Sequence, residues 1–258
     1  LSAKPGDGSV RIIDLIQKAF ADAGYAVLPD LSNAIIDMTE YGVPQNRKRI
    51  IILGVSKEHY GDKAEAMVEK FYSSYLPEYK IEKKATVRDA IGDLPKLRPL
   101  DEPISYLGRK LSHSVSDPLI NGHISRFHNK RDIELFKFLE EDIASGRMKF
   151  TSTKSLKTLY TKLTGKTSNV HKYYVLRWDE PSNLIPAHLF KDGLRHIHPD
   201  PEQARTITVR EAARLQTFPD NYYFNCSQTD AFKMIGNAVP PLFAKKVAYA
   251  IYHLIQEN

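Results

Sequence analysis

The feature that most constrains the fold is a continuous apolar run, RIIILGV, at Arg49–Val55. Because strands of parallel sheets are covered on both faces, this run predicts a buried strand in a largely parallel sheet. Before it, apolar residues recur at helical spacing up to a stop at Gly24. They are Ile12, Ile13, Ile16, Phe20 and Ala23. With short strands predicted at Tyr25–Leu28 and Ala34–Met38, this order indicates the tail of an α/β sheet rather than a complete one.

Further helices are predicted from apolar periodicity and from capping signals. They cover Asp62–Tyr75 with Asp62 as N-cap, Thr86–Ile91, a stretch marked by Ile133, Phe136, Leu139 and Ile143, and Pro241 to about Ile255. Thr208 and Glu211 have the spacing of a capping box, which predicts a helix running to about Gln216. Residues 95–130 are predicted to form irregular loops and short strands, and residues 179–205 to form further loops.

Positive charge is concentrated in the segment Ile143–Trp178, called the basic segment below. It holds eight basic residues and no Asp or Glu: Arg147, Lys149, Lys154, Lys157, Lys162, Lys166, Lys172 and Arg177. The whole chain has a net charge of +6, so the remainder is net −2. Concentrated positive charge attracts phosphate by counterion release, which favours duplex DNA as a partner. A solvated, lysine-rich loop is the alternative.

Cysteine and histidine content restrict the metal chemistry. Cys226 is the only cysteine, which excludes an internal disulfide and a thiolate-rich metal site, and it is expected to be a minor packing residue. The pairs His196/His198 and His123/His128 suggest zinc, but they have no cysteine partners, so no metal is predicted.

The composition indicates a protein of the reducing cytoplasm. No apolar run approaches the roughly 18 residues that a membrane span requires, and no secretory signal opens the chain. The first residue is Leu1 rather than an initiator methionine, so we expect a shortened or processed product.

Three blocks carry a family resemblance. The first is YGVPQNRKR at 41–49, the second is RTITVREAARLQTFP at 205–219, and the third is IGNAVPP at 235–241. In this order, and flanking a long variable region, they resemble the cytosine-5 DNA methyltransferase family. The resemblance implies a Rossmann-like methyltransferase sheet, present here as a remnant in an α/β fold, plus a small α+β target-recognition domain.

The first block resembles the family's Gln-x-Arg-x-Arg motif. Methylation of cytosine at carbon 5 requires thiolate attack at carbon 6, which pushes negative charge towards O2 and N3 of the ring. A guanidinium at O2 stabilises that charge. The resemblance implies that Arg49 contacts O2, that Arg47 supports it, and that Gln45 orients the turn. A plain basic loop before a strand is the alternative.

The third block resembles the family's contact with S-adenosylmethionine, made from a loop that leads into the last helix. The resemblance assigns cofactor binding to Asn237, Ala238 and Val239. Alone, this block would be interpreted as a turn and a helix start. In the second block, Arg210, Glu211 and Arg214 are expected to act as scaffold and not in chemistry.

The family's N-terminal motifs are not found in the sequence: there is no Phe-x-Gly-x-Gly, no Pro-Cys and no Glu-Asn-Val. We therefore expect the C-terminal, DNA-recognising part of a DNA (cytosine-5-)-methyltransferase, inactive alone and completed by an N-terminal catalytic portion. The incomplete sheet also offers edges for self-association. The alternative is a non-catalytic, sequence-specific DNA-binding module.

The expected domain layout follows the three blocks. Residues 1–85 form the C-terminal part of the catalytic α/β domain and residues 86–204 the target-recognition domain. Residues 205–220 form a bracing helix, and residues 221–258 return to the catalytic domain with the terminal helix.

Overall fold

A computed structural model describes residues 10–169, 173–191 and 193–257. The chain divides into two compact units. Unit 1 takes Leu1–Gly42, Asn46–Lys84 and Pro241–Asn258, and unit 2 takes Val43–Gln45 and Ala85–Pro240. Both contain helices and short strands, so the fold is mixed α/β, as expected.

Unit 1 contains four α-helices and four short strands within its described part. The helices are α1 (Ile12–Asp22), α2 (Lys57–Tyr60), α3 (Lys63–Lys70) and α9 (Pro241–Gln256). The strands are β1 (Tyr25–Ala26), β2 (Ile35–Asp37), β3 (Lys48–Ile50) and β4 (Val55–Ser56). The aromatic rings of Tyr41 and Phe243 pack edge to face in its core, with centroids 5.3 Å apart.

The prediction of one buried strand at Arg49–Val55 was wrong. Its two ends belong to different strands: β3 pairs with β2, and β4 pairs with β1, both antiparallel. Arg49 and Ile50 are exposed, and the residues between β3 and β4 are half-buried and lie outside regular strands. Each sheet among the described residues has only two strands. The apolar run therefore corresponds here neither to a fully buried strand nor to a parallel sheet.

Two other local predictions in unit 1 need correction. The predicted strands near residues 25 and 35 are shorter than expected, at two and three residues. Asp62 precedes α3 but makes no capping hydrogen bond, because its own backbone is already helical. The helix then continues from Phe71 to Tyr75 as a π-helical turn.

Unit 2 contains five α-helices and one β-hairpin within its described part. The helices are α4 (Val87–Ile91), α5 (Lys130–Ala144), α6 (Thr153–Thr164), α7 (Val209–Leu215) and α8 (Gln228–Asn237). The hairpin joins β5 (Pro99–Tyr106) to β6 (Arg109–His113), with a register irregularity between Pro99 and Ile104. One apolar core surrounds α7 and α8, and a second lies between α5 and α6.

The capping box that begins α7 is confirmed, and it is part of a buried ion pair. Thr208 accepts from the backbone N–H of Glu211, and Glu211 accepts from that of Thr208 at 2.7 Å. The same carboxylate accepts hydrogen bonds from both terminal nitrogens of Arg205, at 2.7 and 2.6 Å. The side chains of Arg205 and Glu211 are both fully buried. Burial alone would raise the pKa of Glu211, but the Arg205 guanidinium outweighs it and holds that pKa well below the usual range.

The contacts of Arg210 and Arg214 fit the scaffold roles expected for them. Arg210 donates to the backbone carbonyls of Asn121, Pro219 and Tyr222 at 2.8 to 3.2 Å. Arg214 forms ion pairs with Asp93 and Asp220. Both therefore bind loops to α7.

Five histidines of unit 2 are buried and uncharged. They are His113, His123, His128, His196 and His198. Burial is the largest cause that lowers the pKa of each, to about 3 for His128 and His198 and about 4 for His113 and His196. Several accept or donate structural hydrogen bonds; His198 Nδ1, for example, accepts from the backbone N–H of Asp200 at 3.1 Å.

These imidazoles predict that unit 2 loses stability in mild acid. A histidine whose folded pKa is depressed stabilises the fold above its unfolded pKa of about 6.5, and this contribution falls as pH drops towards the folded pKa. In that window, each imidazole lowers the free energy of unfolding by about 1.4 kcal/mol for each unit that the pH drops. Glu140, buried with a raised pKa, acts in the opposite direction, but it is one carboxyl against five imidazoles.

Urea unfolding followed by the fluorescence of Trp178, the only tryptophan, measures this directly. Its ring lies 5.4 Å from that of His198, so the signal reports on unit 2. The midpoint should fall clearly between pH 7 and pH 5. Equal midpoints would contradict the buried, neutral state of the histidines.

Candidate functional site

Arg47 and Arg49 are presented very differently by unit 1. Arg47 is only 5% exposed, and burial, followed by the positive charge of Arg49, lowers its pKa to about 10. It therefore remains a cation at neutral pH. Arg49 pairs with Ile36 across β2 and β3, and its side chain is exposed. The guanidinium of Arg49 donates to the carbonyl of Lys48 at 2.8 Å.

This arrangement offers one accessible guanidinium with a buried cation as its neighbour. An exposed guanidinium on a strand can approach an anionic or carbonyl oxygen, and its planar donor set is fixed in direction. The geometry is consistent with the roles expected for Arg49 and Arg47.

Gln45 does more than orient a turn. Its side chain is fully buried in unit 2, where Oε1 accepts from the backbone N–H of Ile185 at 3.1 Å. Its Nε2 donates to Oε1 of Gln216 at 2.5 Å. These partners are 140 and 171 residues away in the chain, so no local pattern could have indicated them. Gln216 lies in the second block, where the sequence alone assigned it no role.

Of the residues expected to bind S-adenosylmethionine, Asn237 ends a helix, and Ala238 and Val239 lie in the short loop that leads into α9. Asn237 is the last residue of α8, and Ala238 follows as its C-cap. Helix α8 itself was not predicted, since Gly236 and Asn237 resemble turn residues. Asn237 is exposed, Val239 is 53% exposed, and Ala238 is half-buried. An accessible amide beside a branched apolar side chain suits a cofactor with polar and apolar parts.

Gly236 is required by packing, not by its backbone conformation. A Cβ at this position would lie 2.4 Å from the backbone N of Ala187 and 2.4 Å from the carbonyl carbon of Pro186. No other residue type fits there without displacing the chain. Helix α8 therefore contacts the Pro186–Ala187 backbone directly.

Part of the basic segment is helical, which the sequence reasoning did not predict. Helix α6 buries Leu156 and Leu159 and leaves Lys154 and Lys162 exposed, with Lys157 partly so. Ser152 caps its N-terminus, and Gly165 ends it in a left-handed conformation. Within the described part of the chain, no ion pair involves Lys154, Lys157, Lys162 or Lys166. These amines are available for phosphate.

The other candidate DNA contacts differ in availability. Arg177 is half-buried, donates to the carbonyl of Val175 and lies over the ring of Tyr174. Arg147 lies 4.0 Å from Asp142, and Lys149 lies over the ring of Phe150. Lys172 lies outside the described residues. Arg177 is thus a weaker candidate than the lysines of α6.

Cys226 is exposed, so the expectation that it is a packing residue was wrong. It precedes α8, and its sulfur lies 3.9 Å from that of Met234 within the helix. Among residues 10–169, 173–191 and 193–257, no group of three or more His, Cys, Asp or Glu side chains is arranged to hold a metal ion. Within the same ranges, no helix combines the length and the apolar character needed to cross a membrane.

Comparison with known proteins gives a family match along nearly the whole chain. The family model described as C-5 cytosine-specific DNA methylase matches residues 6–253. The Type II methyltransferase M.Bpa9945I of Bacillus paralicheniformis is 33% identical over 279 residues, covering 99% of this chain and 58% of that protein. The Type II methyltransferase M.AgeI of Thalassovita gelatinovora is 30% identical over 305 residues, covering 95% and 70%. The chain thus spans little more than half the length of M.Bpa9945I.

A solved structure shares the fold. It is a prophage-encoded Escherichia coli protein assigned as a DNA modification methyltransferase, with a TM-score of 0.60 and 22% sequence identity. The match covers 98% of this chain and 68% of that one.

The packing of Gly236 predicts that replacing it by alanine destabilises the protein, although helix propensity alone predicts the opposite. In an open helix, Gly→Ala stabilises by about 1 kcal/mol. Here Gly236→Ala should destabilise unit 2 by about 2 kcal/mol or more, because the new methyl overlaps the Pro186–Ala187 backbone. Thr229→Ala, on the exposed side of the same helix, is the control and should change the free energy of unfolding by less than about 0.5 kcal/mol. A stabilised Gly236→Ala protein would contradict the close approach of the two backbones.

Proposed function

This chain belongs to the C-5 cytosine-specific DNA methylase family, and we propose that it is the C-terminal, DNA-recognising part of a DNA (cytosine-5-)-methyltransferase. The reaction transfers a methyl group from S-adenosylmethionine to cytosine in a specific duplex site. The observation that carries the proposal is the pair Arg47 and Arg49, one buried and one accessible, in the Gln-x-Arg-x-Arg block. Relatives named Type II methyltransferases support a place in restriction-modification.

Arg49 acts on the cytosine ring. When a thiolate adds at carbon 6, electron density moves to O2 and N3, and a fixed guanidinium at O2 stabilises it more in the transition state than in the ground state. Arg47 is buried and keeps a second positive charge close by, and its carbonyl holds the Met38–Tyr41 turn by accepting from Met38 N–H at 3.0 Å.

The third block holds the cofactor. The exposed Asn237 amide supplies hydrogen bonds, and Val239 supplies apolar contact. The Ala238 carbonyl already accepts from Gln216, at 2.9 Å, so it fixes the loop and leaves ligand contact to its neighbours. When bound, S-adenosylmethionine supplies the electrophilic methyl group.

The nucleophile comes from an N-terminal portion, encoded in the same gene or in a separate subunit. The sequence contains no Pro-Cys pair, and Cys226 lies outside the three blocks. Unit 1 exposes apolar side chains for such a partner, or for self-association: Ile35 and Ile50 are directly paired on β2 and β3, and both are exposed. Tyr249, Tyr252 and Ile255 are exposed on α9.

In this proposal residues 1–85 and 221–258 belong to the catalytic domain, residues 86–204 form the target-recognition domain, and residues 205–220 brace the two. The second candidate is a non-catalytic, sequence-specific DNA-binding module. The accessible Arg49, Asn237 and Val239 favour the enzyme, because a binding module has no use for these groups.

The chain alone should incorporate no labelled methyl groups into DNA, and an N-terminal portion carrying Pro-Cys should restore incorporation. In that completed enzyme, Arg49→Ala should raise the barrier to methyl transfer by about 2–4 kcal/mol, as for other oxyanion donors removed by mutation. Lys48→Ala is the control, since it removes an exposed cation from the adjacent position of β3. Methyl transfer by the chain alone would contradict the proposed division, and an unchanged rate for Arg49→Ala would contradict the role of that arginine.

DNA binding should depend on the basic segment. Reversing Lys154, Lys157, Lys162 and Lys166 together to Glu should weaken binding and flatten its salt dependence. The slope of log affinity against log salt should fall by about 0.9 for each phosphate that the variant no longer neutralises. Glutamate has a helix propensity close to that of lysine, so α6 should stay folded.

The matched control reverses Lys57, Lys63, Lys80 and Lys83, which changes the net charge equally. Lys57 and Lys80 already pair with Glu65 and Glu40. This variant should bind DNA much as the parent does, as measured by titration at several salt concentrations. Equal losses from the two variants would mean that only net charge matters, and the recognition role of the basic segment would fail.

A further inference from the structure

Two buried side-chain amides form a continuous hydrogen-bonded path through unit 2. Gln45 and Gln216 are both fully buried. Gln45 Oε1 accepts from the N–H of Ile185 at 3.1 Å, and its Nε2 donates to Gln216 Oε1 at 2.5 Å and to the Leu215 carbonyl at 3.4 Å. Gln216 Nε2 donates in turn to the carbonyls of Ile235 at 3.0 Å and Ala238 at 2.9 Å.

The path has one direction, from the Ile185 N–H to the carbonyls at the end of α8. Each amide uses its oxygen as an acceptor and both hydrogens of its nitrogen as donors, so neither can flip without losing its bonds. A buried polar group without a partner is costly, which fixes both orientations. Glutamate lacks the two donors, and leucine lacks both functions, so only glutamine serves at either position.

The two ends of the path lie in segments with different expected tasks. At one end, Ser182–Ala187 is also held by the Ser182 N–H, which donates to the Pro44 carbonyl at 2.9 Å, and by the close contact of Gly236 with Pro186 and Ala187. At the other end, Ala238 stands between the exposed residues Asn237 and Val239.

We propose that Gln45 and Gln216 are positioning residues that hold the Asn237–Val239 turn in register with the Ser182–Ala187 segment. Gln45 acts on the turn through Gln216, whose amide bonds the Ala238 carbonyl. The functional meaning of this register rests on the proposed function, since it makes the placement of the cofactor turn depend on the ordering of a segment in the recognition region.

Amide hydrogen exchange of the full chain tests the path without DNA or cofactor. Gln45→Leu should speed exchange at Ile185, its direct partner, and also at the remote Ala238 N–H, which donates to the Ile235 carbonyl at 3.2 Å. Gln216→Leu should also speed exchange at Ile185, because it removes the hydrogen bond that holds the Gln45 amide in place. Loss of one buried hydrogen bond corresponds to about tenfold faster local exchange. The double variant should show no more than the larger single effect.

Ser112→Ala is the control, because Ser112 is also buried in unit 2 and its hydroxyl accepts from the His128 N–H at 2.9 Å. It should leave the ratio of exchange at Ile185 and Ala238 to exchange in the middle of α5 unchanged. That ratio separates local opening from loss of global stability. Should a leucine variant fail to fold, Gln45→Asn withdraws the same amide by one methylene and should give the same remote effect in smaller measure.

Faster exchange at Ile185 alone in Gln45→Leu, with Ala238 unchanged, would overturn the proposal, as would additive effects in the double variant. In the completed enzyme, Gln45→Asn should raise the KM for S-adenosylmethionine severalfold and leave kcat within about twofold, the pattern of a weakened binding contribution. A completed enzyme without any methyl transfer would overturn the proposed function but not the exchange result, so the two failures are distinguishable.

Discussion

The fold of unit 2 depends on the buried ion pair between Arg205 and Glu211. Taking two charges out of water is expensive, and the attraction between them compensates only when the geometry is good and the remaining hydrogen bonds are satisfied. Here the pair is bidentate, Glu211 also caps α7, and Arg205 further donates to Gln203 and to the Thr206 carbonyl. Loss of either partner leaves an uncompensated charge in the core.

The position of α7 follows from this pair. Six of its seven residues are buried, so the helix is the centre of its apolar core and not a surface element. Gln216, at its C-cap, starts the path to the end of α8, and Arg210 and Arg214 bind the surrounding loops. The side chains of the second block thus make mainly structural contacts, while Asn237, Val239 and the lysines of α6 are at least partly exposed.

Local signals in the sequence predicted local structure well. The Thr208 capping box and the helix from Pro241 were found because their stabilising contacts lie within one or two turns. The prediction of a buried strand at Arg49–Val55 was wrong because a half-buried segment can have the same apolar composition as a strand of a parallel sheet. Helix α8 was missed because Gly236, needed for a close approach to the distant Pro186–Ala187 backbone, resembles a turn signal.

The candidate site was predictable only through resemblance. Nothing in the spacing of Arg47 and Arg49 indicates that one is buried and the other exposed, since this depends on β2 and on the packing of unit 1. The contact of Gln45 with Gln216 joins residues 171 positions apart, and only the folded chain brings them together. The basic segment was recognisable in the sequence because it concentrates lysines and arginines without any acidic residue. The lysines of α6 belong to it.

A double-mutant cycle on Arg205 and Glu211 tests the central role of the ion pair most directly. Arg205→Met and Glu211→Gln, singly and together, would be unfolded in urea at pH 7 with Trp178 fluorescence as the signal. Each single variant should lose about 3–5 kcal/mol of unfolding free energy, because it strands a buried charge. The double variant should recover part of that loss, with a coupling of about 2–3 kcal/mol. Additive losses would show that the two side chains act independently, and the account of unit 2 as organised around this pair would be wrong.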